Sequence, residues 1–79
     1  MDLESDLLKM ISTEVSLDPS QTIDADTDLL LTGLVDSRGV VMIVSWLEDR
    51  SGTEIDPADV VLDNFQTVGQ MIDYMERRQ

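Results

Sequence analysis

Cysteine and histidine are both absent from the 79 residues of this chain. Without thiols there can be no disulfide and no thiolate nucleophile. Without imidazole the commonest general base and the usual zinc ligand sets are missing as well. Long apolar runs are also lacking. The longest, Val40 to Val44, falls far short of the roughly 20 residues a membrane span needs. Met1-Asp2-Leu3-Glu4 is acidic and has neither the basic nor the apolar region of a signal peptide, so a cytoplasmic protein is expected. Positive charge is scarce: five Lys and Arg face 17 Asp and Glu, for a formal charge of −12. Nucleic acid and anionic membrane surfaces would be repelled, and partners with basic patches favoured.

What remains is a foldable chain. Its apolar fraction of 42% is that of an ordinary globular protein, so the charge does not imply disorder. The length allows one domain, residues 1–79, with one modest core and a marginal stability that depends on central leucines. Leu3, Leu7, Leu8, Met10, Ile11 and Val15 recur at helical spacing and predict a first helix ending near Ser16, before Pro19. A long acidic connection follows from about Leu17 to Val35, with Ile23, Leu29, Leu31 and Leu34 available to pin it. Connections of this length in small domains are uncommon without a function.

The second helix is predicted over Ser37 to Ser51, with Asp36 as N-cap and Gly52 as the residue that ends it. On its wheel Val40, Ile43, Val44 and Leu47 face the core. Arg38, Met42, Ser45 and Asp49 face solvent, and Val41 and Trp46 lie on the flanks. Thr53 to Asp56 reads as an extended link with Ile55 facing in. Asp56-Pro57 opens a short helix to about Val61, closed by Asp63-Asn64-Phe65. Thr67-Val68-Gly69-Gln70 fits a capping box for a last helix carrying Val68, Met71, Ile72 and Met75 on one stripe. With no strand alternation and no internal repeat, the expected fold is all-α: a small bundle of three longer helices and one short one.

Two motifs fail on inspection. Asp24-Ala25-Asp26-Thr27-Asp28 imitates the start of a calcium loop, but Leu29 and Val35 stand where glycine and a bidentate glutamate are required. Val35-Asp36-Ser37-Arg38-Gly39 has Val35 in place of the first glycine of a hydrolase nucleophile elbow, and the chain has no histidine to act as base. A different use of Ser37 fits better. Its hydroxyl is placed on the first turn of a helix, where backbone N–H groups lack partners and the helix dipole favours an anion. A phosphate-linked group is a plausible attachment there.

Gly33-Leu34-Val35-Asp36-Ser37 follows the first helix and the acidic connection. Leu47-Glu48, Gly52-Thr53-Glu54-Ile55 and Asn64-Phe65-Gln66-Thr67-Val68 come after it. Taken together this resembles the acyl and peptidyl carrier proteins, of stand-alone type, over nearly the whole chain. The resemblance implies a non-enzymatic carrier on which a phosphopantetheinyl transferase places 4′-phosphopantetheine from coenzyme A, at Ser37, with Asp36 beside it. The terminal thiol of that arm then holds an acyl or aminoacyl unit as a thioester. It further implies a monomer docking through the second helix, with Arg38, Val41, Met42, Glu48 and Asp49 toward partners. Those partners would be an adenylating ligase or acyltransferase that loads the cargo and downstream enzymes with basic docking patches. Arg38 stands where relatives carry an apolar residue, Gly39 and Met42 where fatty-acid carriers are often acidic, and Ser51 where an aromatic is usual. These departures point to a specialised biosynthetic pathway, with Arg38 neutralising the phosphodiester of the arm or selecting a partner. A carrier of fatty acid or polyketide chains is the alternative within the family. An acidic helical interaction module without cofactor is the alternative outside it.

Overall fold

The computed structural model describes residues 2–78. Asp2 opens the first helix, α1 (Leu3–Met10), by accepting the Ser5 N–H at 2.8 Å. The helix then widens over Ile11–Val15 into a turn closed by Ser16 N–H donating to the Ile11 carbonyl at 2.8 Å. Val15, at the end of this turn, is buried in the core with Ile11. Helix α2 runs Ser37–Ser51, from the Asp36 cap to Gly52, whose φ of +69° ends it in the left-handed region that glycine tolerates. The reciprocal bonds Gln70 N–H to Thr67 Oγ1 (3.1 Å) and Thr67 N–H to Gln70 Oε1 (3.2 Å) make the expected capping box of α4 (Val68–Arg78).

The fold is all-helical among the described residues, and none of its helices is long and apolar enough to cross a membrane. Leu7 of α1, Ile11 of the turn after it, Ile43 and Leu47 of α2, Phe65, and Val68, Met71 and Met75 of α4 are fully enclosed. Leu29 and Val35 from the long connection join the same cluster. Truncating such a side chain to alanine costs about 2–5 kcal/mol, so the core tolerates little loss.

Four local expectations are corrected. The helix predicted from Pro57 to Val61 is two pieces, a single tight turn at Pro57–Asp59 and a short α3 at Leu62–Phe65. Val60 (ψ 76°) and Val61 (ψ 164°) leave helical geometry between them. Burial of Phe65 then sets the second piece, and the Asn64 amide ties it to the first by donating to the Asp59 carbonyl at 3.0 Å. Leu31 does not pin the connection. It sits 71% exposed because Asp28 accepts the N–H groups of Leu30 and Leu31 and turns the chain outward. Val40 and Val44 are only half-buried, since the link after α2 passes beside that side of the helix and leaves an open groove over them. Tyr74, not placed in the stripe of α4, is buried with its hydroxyl donating to Asp59 Oδ2 at 2.6 Å.

Candidate functional site

Three constraints place Ser37. Asp36 is extended (φ −96°, ψ −174°). Its carboxylate accepts the Gly39 N–H at 2.9 Å while its carbonyl accepts the Val40 N–H at 3.0 Å. The segment before it is tied to the body of the molecule, with Val35 N–H donating to the Leu29 carbonyl and Leu17 N–H to the Leu34 carbonyl, both at 2.9 Å. Beneath the helix start, Gly39 is buried so tightly that a Cβ there would lie 2.7 Å from Val15 Cγ1 and 2.8 Å from Val35 Cγ1. The first turn of α2 therefore rests directly on the two valines, and Ser37 is held at a rigid edge.

The chain contains seven serines. The hydroxyls of Ser5, Ser16, Ser20 and Ser51 are engaged with Asp2, the Asp18 carbonyl, Asp18 Oδ1 and the Leu47 carbonyl. Ser12 is half-buried. Ser37 and Ser45 are exposed with hydroxyls that make no hydrogen bond among the described residues, and of the two only Ser37 lies at a helix start. With the Gly39 and Val40 N–H groups taken up by Asp36, those of Ser37 and Arg38 have no hydrogen-bond partner among the described residues and are open to an anion. An accessible hydroxyl beside free N–H donors suits a bulky phosphate ester.

Two aspartates of the calcium-like segment are engaged within the fold: Asp24 Oδ1 accepts the Asp26 N–H at 2.9 Å, and Asp28 Oδ2 accepts from the distant Gln66 Nε2 at 2.9 Å. On one side of α2 a cleft of about 170 Å³ is lined by Glu14, Leu17, Arg38, Gly39 and Met42. On the other, an open apolar groove of about 290 Å³ is lined by Val40, Val41, Val44, Ile55, Pro57 and Val60. Val41 (66% exposed) and Met42 (43%) lie between the two. Trp46 lines neither. It packs half-buried against the core, with the Arg50 guanidinium 4.8 Å above its ring.

The charged residues expected toward partners separate in the structure. The side chains of Arg38 and Asp49 are exposed and make no hydrogen bond or ion pair among the described residues. Glu48 is half-buried, and its Oε2 accepts the Ile55 N–H at 2.8 Å, anchoring the link after α2. Arg50 is committed to Asp6 across the first two helices. Sequence reasoning missed Gly39 as a builder of the site. The only signal available was a glycine inside a helix, a position that costs stability unless close packing requires it.

With this geometry in view, the family described as the phosphopantetheine attachment site matches residues 5–75, and the chain belongs to it. A comparison with curated proteins finds no match. Members carry 4′-phosphopantetheine covalently on a serine and have no catalytic activity of their own. The chain is therefore a carrier of acyl intermediates linked to that group, a substrate of phosphopantetheinyl transferase and a partner of biosynthetic enzymes.

Proposed function

We propose that Ser37 is the serine that receives the group, and that residues 1–79 act as one carrier domain in a specialised biosynthetic pathway. The observation that carries this reading is the pairing of an exposed, unbonded hydroxyl with the free N–H groups of a helix start, found at Ser37 alone among the seven serines. When attached, the group supplies a flexible arm with a terminal thiol that holds the cargo as a thioester, in a chain with no thiol of its own. Asp36 keeps the helix start intact and Gly39 keeps it seated, so the arm would swing from a fixed root. Tethering raises the effective concentration of the cargo at each enzyme and prevents its loss by diffusion.

Arg38 in place of an apolar residue, and Gly39 and Met42 in place of acids, favour a dedicated set of enzymes and a cargo loaded by an adenylating ligase. A fatty or polyketide acyl cargo is the second reading, favoured by the apolar groove over Val40, Val44 and Val60 beside α2. Incubation with coenzyme A and a broad-specificity phosphopantetheinyl transferase tests the attachment. Intact mass should rise by one phosphopantetheine in the wild type and not in Ser37→Ala. A gain that persists in Ser37→Ala, with Ser45 as the exposed alternative, would refute the assignment.

A further inference from the structure

The root of Ser37 is held from two directions. Besides the start of α2, the Val35 N–H donates to the Leu29 carbonyl at 2.9 Å, and the Leu29 N–H donates in turn to the Gln66 carbonyl at 2.8 Å. Gln66 stands at the junction of α3 and α4, and the side chain of Leu29 is fully enclosed. One residue of the long connection therefore links that junction to the segment that ends in Asp36 and Ser37. No helix among the described residues lies between Val15 and Ser37, so the connection takes its shape from bonds of this kind.

Asp28, the residue before Leu29, sets this link with both oxygens of its carboxylate. Oδ1 accepts the N–H groups of Leu30 (3.1 Å) and Leu31 (2.9 Å), and Oδ2 accepts from Gln66 Nε2 at 2.9 Å. Its carbonyl also accepts the Thr32 hydroxyl. One oxygen thus shapes the turn that follows Leu29, and the other ties it to the α3–α4 junction. The Gly69 N–H, donating to the Ala25 carbonyl at 2.9 Å, holds the preceding residues against the start of α4. Asp24 contrasts with Asp28, because its carboxylate accepts from the Asp26 N–H and Thr27 Oγ1, both inside its own turn.

We propose that Asp28 is a positioning residue for the transfer of phosphopantetheine onto Ser37, acting through Leu29 with Gln66 as its partner. Without its carboxylate, Leu29 and Val35 sample other arrangements, and Ser37 is presented correctly in only a fraction of the molecules. That fraction lowers the apparent affinity for the transferase in proportion, while the molecules that do bind react as before. The loss falls on KM for the carrier and not on kcat. Charge is not what is used here. Both oxygens face donors of the chain itself, so the neutral amide of asparagine can serve. Its oxygen accepts the Leu30 and Leu31 N–H groups, and its NH2 donates to Gln66 once that amide turns over. This inference rests on Ser37 as the attachment point and adds the residue that holds it in place.

The test uses the full chain, coenzyme A and a broad-specificity phosphopantetheinyl transferase, with kcat and KM for the carrier read from intact mass. Asp28→Ala should raise KM by about five-fold or more, with kcat within about two-fold of wild type. Gln66→Ala, which leaves the turn at Leu30 and Leu31 intact, should raise KM by about two- to five-fold. Asp28→Asn and the control Asp24→Ala should both stay within about two-fold of wild type. Exchange of the Val35 amide, followed without transferase, should quicken in Asp28→Ala and Gln66→Ala alone. Circular dichroism checks that each variant is folded, and should Asp28→Ala fail to fold, Gln66→Ala decides by the same two readouts. An unchanged KM in Asp28→Ala would overturn the proposal. So would an equal rise in Asp24→Ala, which would mean general loosening of the connection, or in Asp28→Asn, which would mean that the transferase reads the charge itself. Absence of mass gain in the wild type, or a gain that persists in Ser37→Ala, is a distinct outcome that removes the Ser37 assignment and this proposal with it.

Discussion

At position 39 a missing side chain decides where the neighbouring serine sits. Replacing that glycine by alanine gains about 1 kcal/mol of helix propensity. The added methyl must, however, displace two buried valine methyls that would lie 2.7 and 2.8 Å away, and overpacking of this kind costs about 1–3 kcal/mol. Valine has little rotamer freedom with which to yield. Gly39→Ala should therefore lower stability by about 1 kcal/mol net in a denaturant titration. It should also shift the amide resonances of Val15, Val35 and Ser37. A gain in stability would show that the valines move freely and that the helix start is not rigidly seated. Arg38, one residue earlier, contrasts with the other arginines: Arg50 is paired with Asp6, Arg77 bonds Asn64, and Arg78 donates to the Glu54 carbonyl.

Among the elements, α2 carries both the site and the face beside it, and its C-terminal end controls the groove. Glu48 accepts the Ile55 N–H, so one carboxylate holds the link that forms a wall of the groove. Glu48→Ala leaves a half-buried N–H without its partner and should cost about 1–3 kcal/mol. Glu48→Gln keeps an acceptor oxygen and should retain most of the stability. Native-state hydrogen exchange at Ile55 checks this, with faster exchange expected in Glu48→Ala alone. Equal exchange in both variants would mean that Ile55 alone, through its buried side chain, holds the link.

For the molecule as a whole, α4 acts as the strut that fixes the connection between α2 and α3. Tyr74 is buried and bonded to Asp59, Arg77 reaches Asn64, and Arg78 reaches the Glu54 carbonyl. Burial first, and then the hydrogen bond to Asp59, raise the Tyr74 phenol above its ordinary value near 10. The folded state thus binds this proton more tightly than the unfolded chain. Its contribution is complete below pH 10 and declines as pH rises from there through the raised value. Thermal unfolding followed between pH 8 and about pH 11 should show an alkaline loss that is smaller in Tyr74→Phe. An identical alkaline loss in that variant would place its origin elsewhere.

Signals acting within a few residues were legible before any coordinates. The Asp36 cap, the Gly52 stop and the Thr67–Gln70 box set helix ends through bonds spanning three or four residues, so the bounds of α2 and the start of α4 could be read directly. The placement of Ser37 at a helix start followed from the same local chemistry. Contacts between segments distant in sequence were decided only by the tertiary structure. Gly39 is required because Val15 and Val35 converge beneath it. Glu48 turns inward because the link returns past the end of α2, and Phe65 is drawn into the core with α3 after Val60 and Val61 leave the helix. Leu31 and Leu29 are alike in composition and opposite in burial, because the turn at Asp28 sends them to different sides. Periodicity reports which residues share a face. Which faces are covered depends on where the rest of the chain comes to lie.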